Sequence, residues 1–444
     1  MLYQVAADLV AGMRRDSRPR FLRVETYRLK AHSKGDDTRS RDVVAPFEER
    51  DPLNRFLTEM SEPETVWVDR LREQVRQAVN LAEEAPAARL PAGREDTTLV
   101  RPLDWTPAAA GEQRRMVSEL NACLTRLMHR DKDIFLMGED ILSPYGGAFK
   151  ATRELSDIFP DRVRNTPISE ACIVGMGGGL GLMGYRPIVE IMFGDFLGLA
   201  FDQIVNHAAK FRQMYNHQVS TNLVVRTPMG GGRGYGPTHS QTLDKHFLGV
   251  PGLRVLALNA LVSPDRVYEP LLQEPHGPSL VIENKLLYGS YLNLPMPDGY
   301  TLHHSSAAYA DAWVRPDAQE ADITLLGYGG VAQMLVQAAN DLFEHHDVVA
   351  QVLVVSQIYP FHIQPYLPVL ALAPGLLLVE EGQAYAGFGS EVLAQLAEHD
   401  ALDRVRVRRL APPAYCIPSS GPLEKEVLPD LAQVIAAARA LEQA

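Results

Sequence analysis

From residue 113 onward the chain alternates short, uninterrupted apolar runs with stretches of helical periodicity. Few architectures accept that order. A strand buried on both faces carries apolar residues at every position, because helices cover it from above and below. Such runs lie at 134–138, 187–193, 223–226, 254–258 and 280–283. Helical stretches lie between them: 113–129, a segment opening near Ser169, 196–215 and 265–273. This alternation predicts a parallel sheet covered by helices. After residue 305 the style repeats: "DITLLGYG", a helix over 331–345, "AQVLVVSQ", "GLLLVEEG", a helix over 390–398, "RVRVRRL" and a final helix.

The beginning is different. Residues 1–95 offer one strand, 21–29, running into the polar loop "VETYRLKAHSKGDDTR", and a helix over 69–84 with Leu71, Val75, Ala78 and Ala82 on one face. Only a helix over 2–15 precedes them. One strand cannot make a sheet, so this block must complete something else. A linker rich in proline and alanine follows at 96–112, then the α/β blocks 113–300 and 301–444.

Net charge is −12 and the arginines are scattered, which argues against nucleic acid and anionic membranes as partners. The N-terminus has no basic stretch ahead of an apolar core, and the longest apolar run, 367–379, is broken by proline and glycine. Cys123, Cys172 and Cys416 lie far apart with no CxxC, the pattern of a cytoplasmic, reducing setting.

Four signals bear on chemistry. Gly179 to Gly184 match G-x-G-x-x-G, but within a helix and without the preceding strand or downstream acid of a dinucleotide site. Small residues for close helix packing are the better reading. "TPISEACIVG" places Glu170 in the first turn of a helix; it either favours the helix dipole or, in dry surroundings, is a raised-pKa proton exchanger. The Gly-rich loop "TPMGGGRGYGPTHSQ" delivers His239 to a strand end, and His32 stands in the early polar loop beside Ser33, Lys34 and Arg28, a set able to hold a phosphate. For both histidines a structural or solvated role stays open.

Together these stretches resemble one family, the thiamine-diphosphate-dependent decarboxylating components of the 2-oxoacid dehydrogenase complexes. Residues 113–444 are similar to its β subunit through "GED…YGGAF", "TPISE", "RPIVEIMFGDF", "DQIVNHAAK", "YGPTHSQ" and "PGLRV". Residues 1–95 are similar to the C-terminal third of its α subunit through "TYRLKAHSKGDDTR" and "RDPLNRFL". The resemblance implies an α/β, transketolase-like fold: part of a diphosphate-binding domain, a pyrimidine-binding domain and a transketolase-type C-terminal domain.

The resemblance also implies residue roles. Glu170 would hold a proton at N1′ of the aminopyrimidine, Ile168 and Phe196 would line and stack on that ring, and His239 would face the reacting carbon. Arg28, His32 and Ser33 would lie on the loop meeting the diphosphate; Ser33 aligns with a serine that some relatives phosphorylate. The family's G-D-G…N signature for Mg²⁺ is missing, since Asp195 sits in "FGDF" and Asp36 and Asp37 lack the asparagine. No metal ligand is therefore expected on this chain. The expected partner is a truncated α subunit carrying that motif, two copies of each chain assembling, with a lipoyl group of an acyltransferase or another acceptor taking the acyl unit. Where the family's potassium loop reads D-x-N-P, this chain reads Pro275, His276, Gly277, Pro278, which removes the expectation of bound potassium. A carboligase of secondary metabolism and a non-catalytic scaffold are the competing readings.

Overall fold

A computed structural model describes residues 2–32, 35, 37–60, 62–87, 102–109, 111–273, 277–318 and 320–443. The chain divides into two compact units, Met1–Gly93 and Arg94–Ala444.

The first unit is helical: Leu2–Arg15, Arg41–Glu48, Pro52–Glu59 and Glu62–Glu84. The strand expected over 21–29 does not form, and Phe21 is 90% exposed. The reason is physical: no other strand exists among the unit's described residues to pair with it. The helix expected over 69–84 starts earlier, at Glu62. Asp51 caps the third helix by accepting from Leu53 N at 2.8 Å, with Pro52 in the first turn, where its missing N–H costs nothing. The polar loop is closed by Arg39, which pairs with Asp37 at 2.7 Å and donates to the Arg28 carbonyl at 2.8 Å. Its guanidinium lies 5.1 Å from the centre of the Tyr27 ring, which stacks on Phe47. Ser33 and Asp36 lie outside the described residues.

The second unit holds two seven-stranded sheets. In the first, Ile134–Gly138, Val163–Asn165, Arg186–Glu190, Val224–Met229, Arg254–Ala257 and Ser279–Asn284 run parallel, and Gln357–Tyr359 adds an antiparallel edge. The second sheet is mixed. Ile323–Tyr328, Ala350–Val355, Gly375–Val379 and Arg406–Leu410 are parallel, but Tyr300–Ser305 and Ala312–Pro316 join antiparallel. Trp105–Pro107, inside the stretch expected to be linker, pairs with Tyr300–Ser305. The helix expected over 196–215 is broken into Leu197–Asp202, the π-helical Gln203–Ala208 and Phe211–Met214.

The glycines of "GMGGGLG" sit on the helix Glu170–Leu182. A Cβ on Gly177 would come within 2.8 Å of Leu223 and Val189 side chains, so the helix packs against the sheet only with glycine there. This is the close-packing role, not a nucleotide cradle.

Candidate active site

Parallel strands bring their C-terminal ends to one edge, the usual place for chemistry in an α/β sheet. Glu139 follows the strand ending at Gly138; Ile168 and Glu170 follow Val163–Asn165. Phe193, Asp195 and Phe196 follow Arg186–Glu190, the glycine loop and His239 follow Val224–Met229, and Lys285 follows Ser279–Asn284.

Glu170 opens its helix and is 6% exposed, whereas Ile168, two residues earlier, is 81% exposed. Glu139 is buried as well, and its Oε1 has no hydrogen-bond partner. Burial pushes the Glu139 carboxyl above its ordinary range, and the charges of Glu170, Asp140 and Glu190 push the same way. An unpartnered buried carboxylate oxygen beside a second buried acid leaves room for a proton donor.

His239 is half-buried in an aromatic corner. Phe193 and Phe196 meet its ring edge-on at centroid distances of 4.8 and 5.1 Å, and Thr238 Oγ1 lies 2.9 Å from Nδ1. Lys285 is 1% exposed, donates from Nζ to the His239 carbonyl, and faces the Phe193 and Tyr235 rings. Burial lowers its pKa to about 8. Asp195 accepts from Gln241 N at 3.3 Å, and burial raises its carboxyl.

Beneath this edge lies a buried ion network. Arg226 donates to Glu190 and, through two nitrogens, to Glu283; Tyr268 and Tyr288 hydroxyls each donate to Glu283 at 2.5 Å. Two carboxylates share one guanidinium, and burial pushes Glu190 up despite the arginine. Such a group is tolerated in the interior only because nearly every charge is bonded.

The profile of the transketolase pyrimidine binding domain matches residues 113–290, and that of the transketolase C-terminal domain matches 313–434. Both matches lie within the second unit. The β subunit of 2-oxoisovalerate dehydrogenase from Bacillus subtilis is 32% identical over 74% of this chain and 98% of that protein. The β subunit of acetoin:2,6-dichlorophenolindophenol oxidoreductase from Cupriavidus necator is 31% identical over 72% of this chain and 95% of its own length. The chain belongs to the β-subunit family of the thiamine-diphosphate-dependent 2-oxoacid dehydrogenases. Among solved structures, a split-gene transketolase in an inactive β4 tetramer superposes with a TM-score of 0.56 at 18% identity, covering 74% of this chain and 99% of that one. That likeness shows the transketolase-like fold.

The family's cofactor can be tested against these residues. An aminopyrimidine needs an acid at a ring nitrogen and apolar faces above and below. Buried Glu170, exposed Ile168 and the half-buried Phe196 ring are of that kind, so the edge fits the pyrimidine end of thiamine diphosphate. Among the described residues no three His, Cys, Asp or Glu side chains are grouped as a metal site. Arg28 and His32 are exposed in the first unit. Pro275 and His276 of the potassium-loop position lie outside the described residues. No helix among the described residues is long and apolar enough to cross a membrane.

Sequence reasoning singled out Glu170, Ile168, Phe196 and His239, all at one sheet edge. It missed Glu139, Phe193 and Lys285. Glu139 was findable, being the acid of "GED" at a strand end. Lys285 was not, because only the fold brings it to the His239 carbonyl.

Proposed function

We propose that this chain is the β-type half of an enzyme that decarboxylates a 2-oxo acid and passes the acyl unit to a lipoyl group or another acceptor. A separate, truncated α-type polypeptide with the G-D-G…N motif would supply Mg²⁺ and diphosphate binding. The observation carrying the reading is the buried acid pair Glu139 and Glu170 on the same strand-end edge as the His239 corner.

Thiamine diphosphate, when bound, supplies the carbon that takes up the substrate carbonyl and the electron sink for loss of CO₂. This chain's residues do the rest. Glu170 would hold a proton at a ring nitrogen of the bound pyrimidine, and its charge helps to raise the Glu139 carboxyl nearby. Ile168 and Phe196 offer apolar surface to the ring and exclude water. His239, oriented by Thr238 and held between Phe193 and Phe196, presents its imidazole to the acyl-transfer step.

Glu170→Gln keeps the shape but removes the exchangeable acid. Turnover in the reconstituted complex should fall by about 10²- to 10⁴-fold while cofactor still binds, as followed by fluorescence quenching. Near-normal turnover would defeat the assignment. The acetoin oxidoreductase relative favours a second reading, cleavage or formation of an acyloin. Assaying 2-oxo acids with lipoamide against acetoin or an aldehyde acceptor separates the two.

A further inference from the structure

The loop that delivers His239 is built to be loose. Between Met229 and Pro237 five of seven residues are glycine, and Gly230, Gly232, Gly234 and Gly236 all have positive φ, from 70° to 96°. Glycine backbone at such angles is accessible but has little intrinsic preference, so the loop cannot hold one conformation by itself. Something outside must fix it.

The C-terminal domain does so. Glu424, on the short helix Gly421–Val427, is 3% exposed and straddles the loop. Its Oε1 accepts from Gly232 N at 2.8 Å and its Oε2 from Gly234 N at 2.9 Å. Glu381 accepts from Gly231 N at 3.0 Å and is itself held by Asn284. The approach is close on that side: a Cβ on Gly231 would come within 2.7 Å of Leu428 and 3.2 Å of Glu424 Oε1. At the far end Lys285 donates to the His239 carbonyl. A carboxylate accepting two backbone N–H groups is a strong, directional anchor, and it is buried where water does not compete.

We infer that Glu424 is a positioning residue: from the C-terminal domain it clamps the glycine loop and so sets where His239 stands. The inference rests on the role proposed for His239, and with Glu381 it gives the C-terminal domain a part in placing that histidine. The clamp is separable from cofactor holding, because among the described residues the Glu424 carboxylate hydrogen-bonds to the loop backbone at Gly232 and Gly234.

Two measurements on the full chain and its reconstituted complex test it. In hydrogen exchange, Glu424→Gln, which keeps one acceptor oxygen, should speed exchange of the 230–239 segment by about tenfold, and Glu424→Ala by more. In turnover, both variants should lower kcat in the same order with the KM for thiamine diphosphate within about twofold, and the loss should vanish when His239→Ala is already present. Exchange as slow as in the unaltered chain would overturn the clamp. So would a loss that adds fully to that of His239→Ala, which would show that Glu424 acts through general stability. If His239→Ala alone leaves turnover unchanged while Glu424→Gln exchanges fast, the role given to His239 is wrong and the catalytic half of the inference falls with it. A damaged His239→Ala with normal exchange in Glu424→Gln overturns the clamp alone.

Discussion

The two units differ most in what they bury. In Arg94–Ala444, apolar residues collect into three clusters and even Arg226 is fully enclosed. In Met1–Gly93, Gly12 is the sole buried residue among those described. Trp67, Leu71 and Val75, spaced four apart on one face of Glu62–Glu84, are 54%, 40% and 64% exposed. Helical amphipathicity is present in both units, but among the described residues only the second has a sheet for its helices to cover. At about 25 cal/mol per Å², uncovered apolar faces contribute little to holding a fold. We propose that an α-type partner covers this apolar face of the first unit.

Charge shows the same contrast, and with the largest effect. Arg226→Met leaves Glu190 and Glu283 buried without their cation and should cost about 3–5 kcal/mol in chemical denaturation of the second unit. Asp37→Asn in the first unit breaks an ion pair that water reaches and should leave the unfolding midpoint unmoved. If the two substitutions cost the same, the contrast in burial does not carry the stability.

The histidines sharpen the comparison, one from each unit. His239→Ala should slow acyl transfer with little change in cofactor affinity, since an interaction made mainly in the transition state alters turnover. We propose that His32 meets the diphosphate; a charge-assisted contact there is worth about 1.5–3 kcal/mol, so His32→Ala should weaken thiamine diphosphate binding by roughly 10- to 100-fold. Excess cofactor should then restore part of the turnover. A shared response in both variants would erase the division of labour.

The smallest effect concerns pH. Burial pushes Asp311 up to about 6 and Glu380 up to about 7 in the second unit. A raised carboxyl stabilises the fold fully below its unfolded pKa, and that contribution is lost as pH rises through the folded value. Between pH 4 and about 7 these groups therefore tilt stability downward, and Asp311→Asn should flatten the slope up to about pH 6. Asp37 has the opposite sign, since the Arg39 guanidinium holds it down to about 2, but water reaches the pair and its share is too small to move the midpoint. Denaturation midpoints of the second unit at several pH values, with and without Asp311→Asn, check the downward slope.

How much of this could be read from sequence follows the same divide. Most of the parallel strands were legible because two-sided burial leaves continuous apolar runs, and Ile134–Gly138 falls where the run predicted it; the short, largely exposed Val163–Asn165 leaves no such run and was missed. Glu170 was legible because a proline, a serine and an apolar run mark the helix start. The 21–29 segment misled, since β-type composition describes what a strand would pack against, and its own unit offers no such surface. The antiparallel strand Tyr300–Ser305 was missed because Thr301, His303 and His304 break the apolar run, and Ala312–Pro316 because its run is only Ala312, Trp313 and Val314 before Arg315. Glu424 and Lys285 act on backbone atoms far away in sequence, and no local pattern announces that.

We propose that this chain is half of an enzyme, with the pyrimidine side of the site in its second unit and a first unit that an α-type partner completes. Light scattering on the chain with and without a short polypeptide bearing G-D-G…N, coupled to a 2-oxo acid decarboxylation assay, tests it most directly. Turnover is expected only in the mixture, from a species holding two copies of each chain. A stable monomer of this chain alone that decarboxylates 2-oxo acids would contradict it.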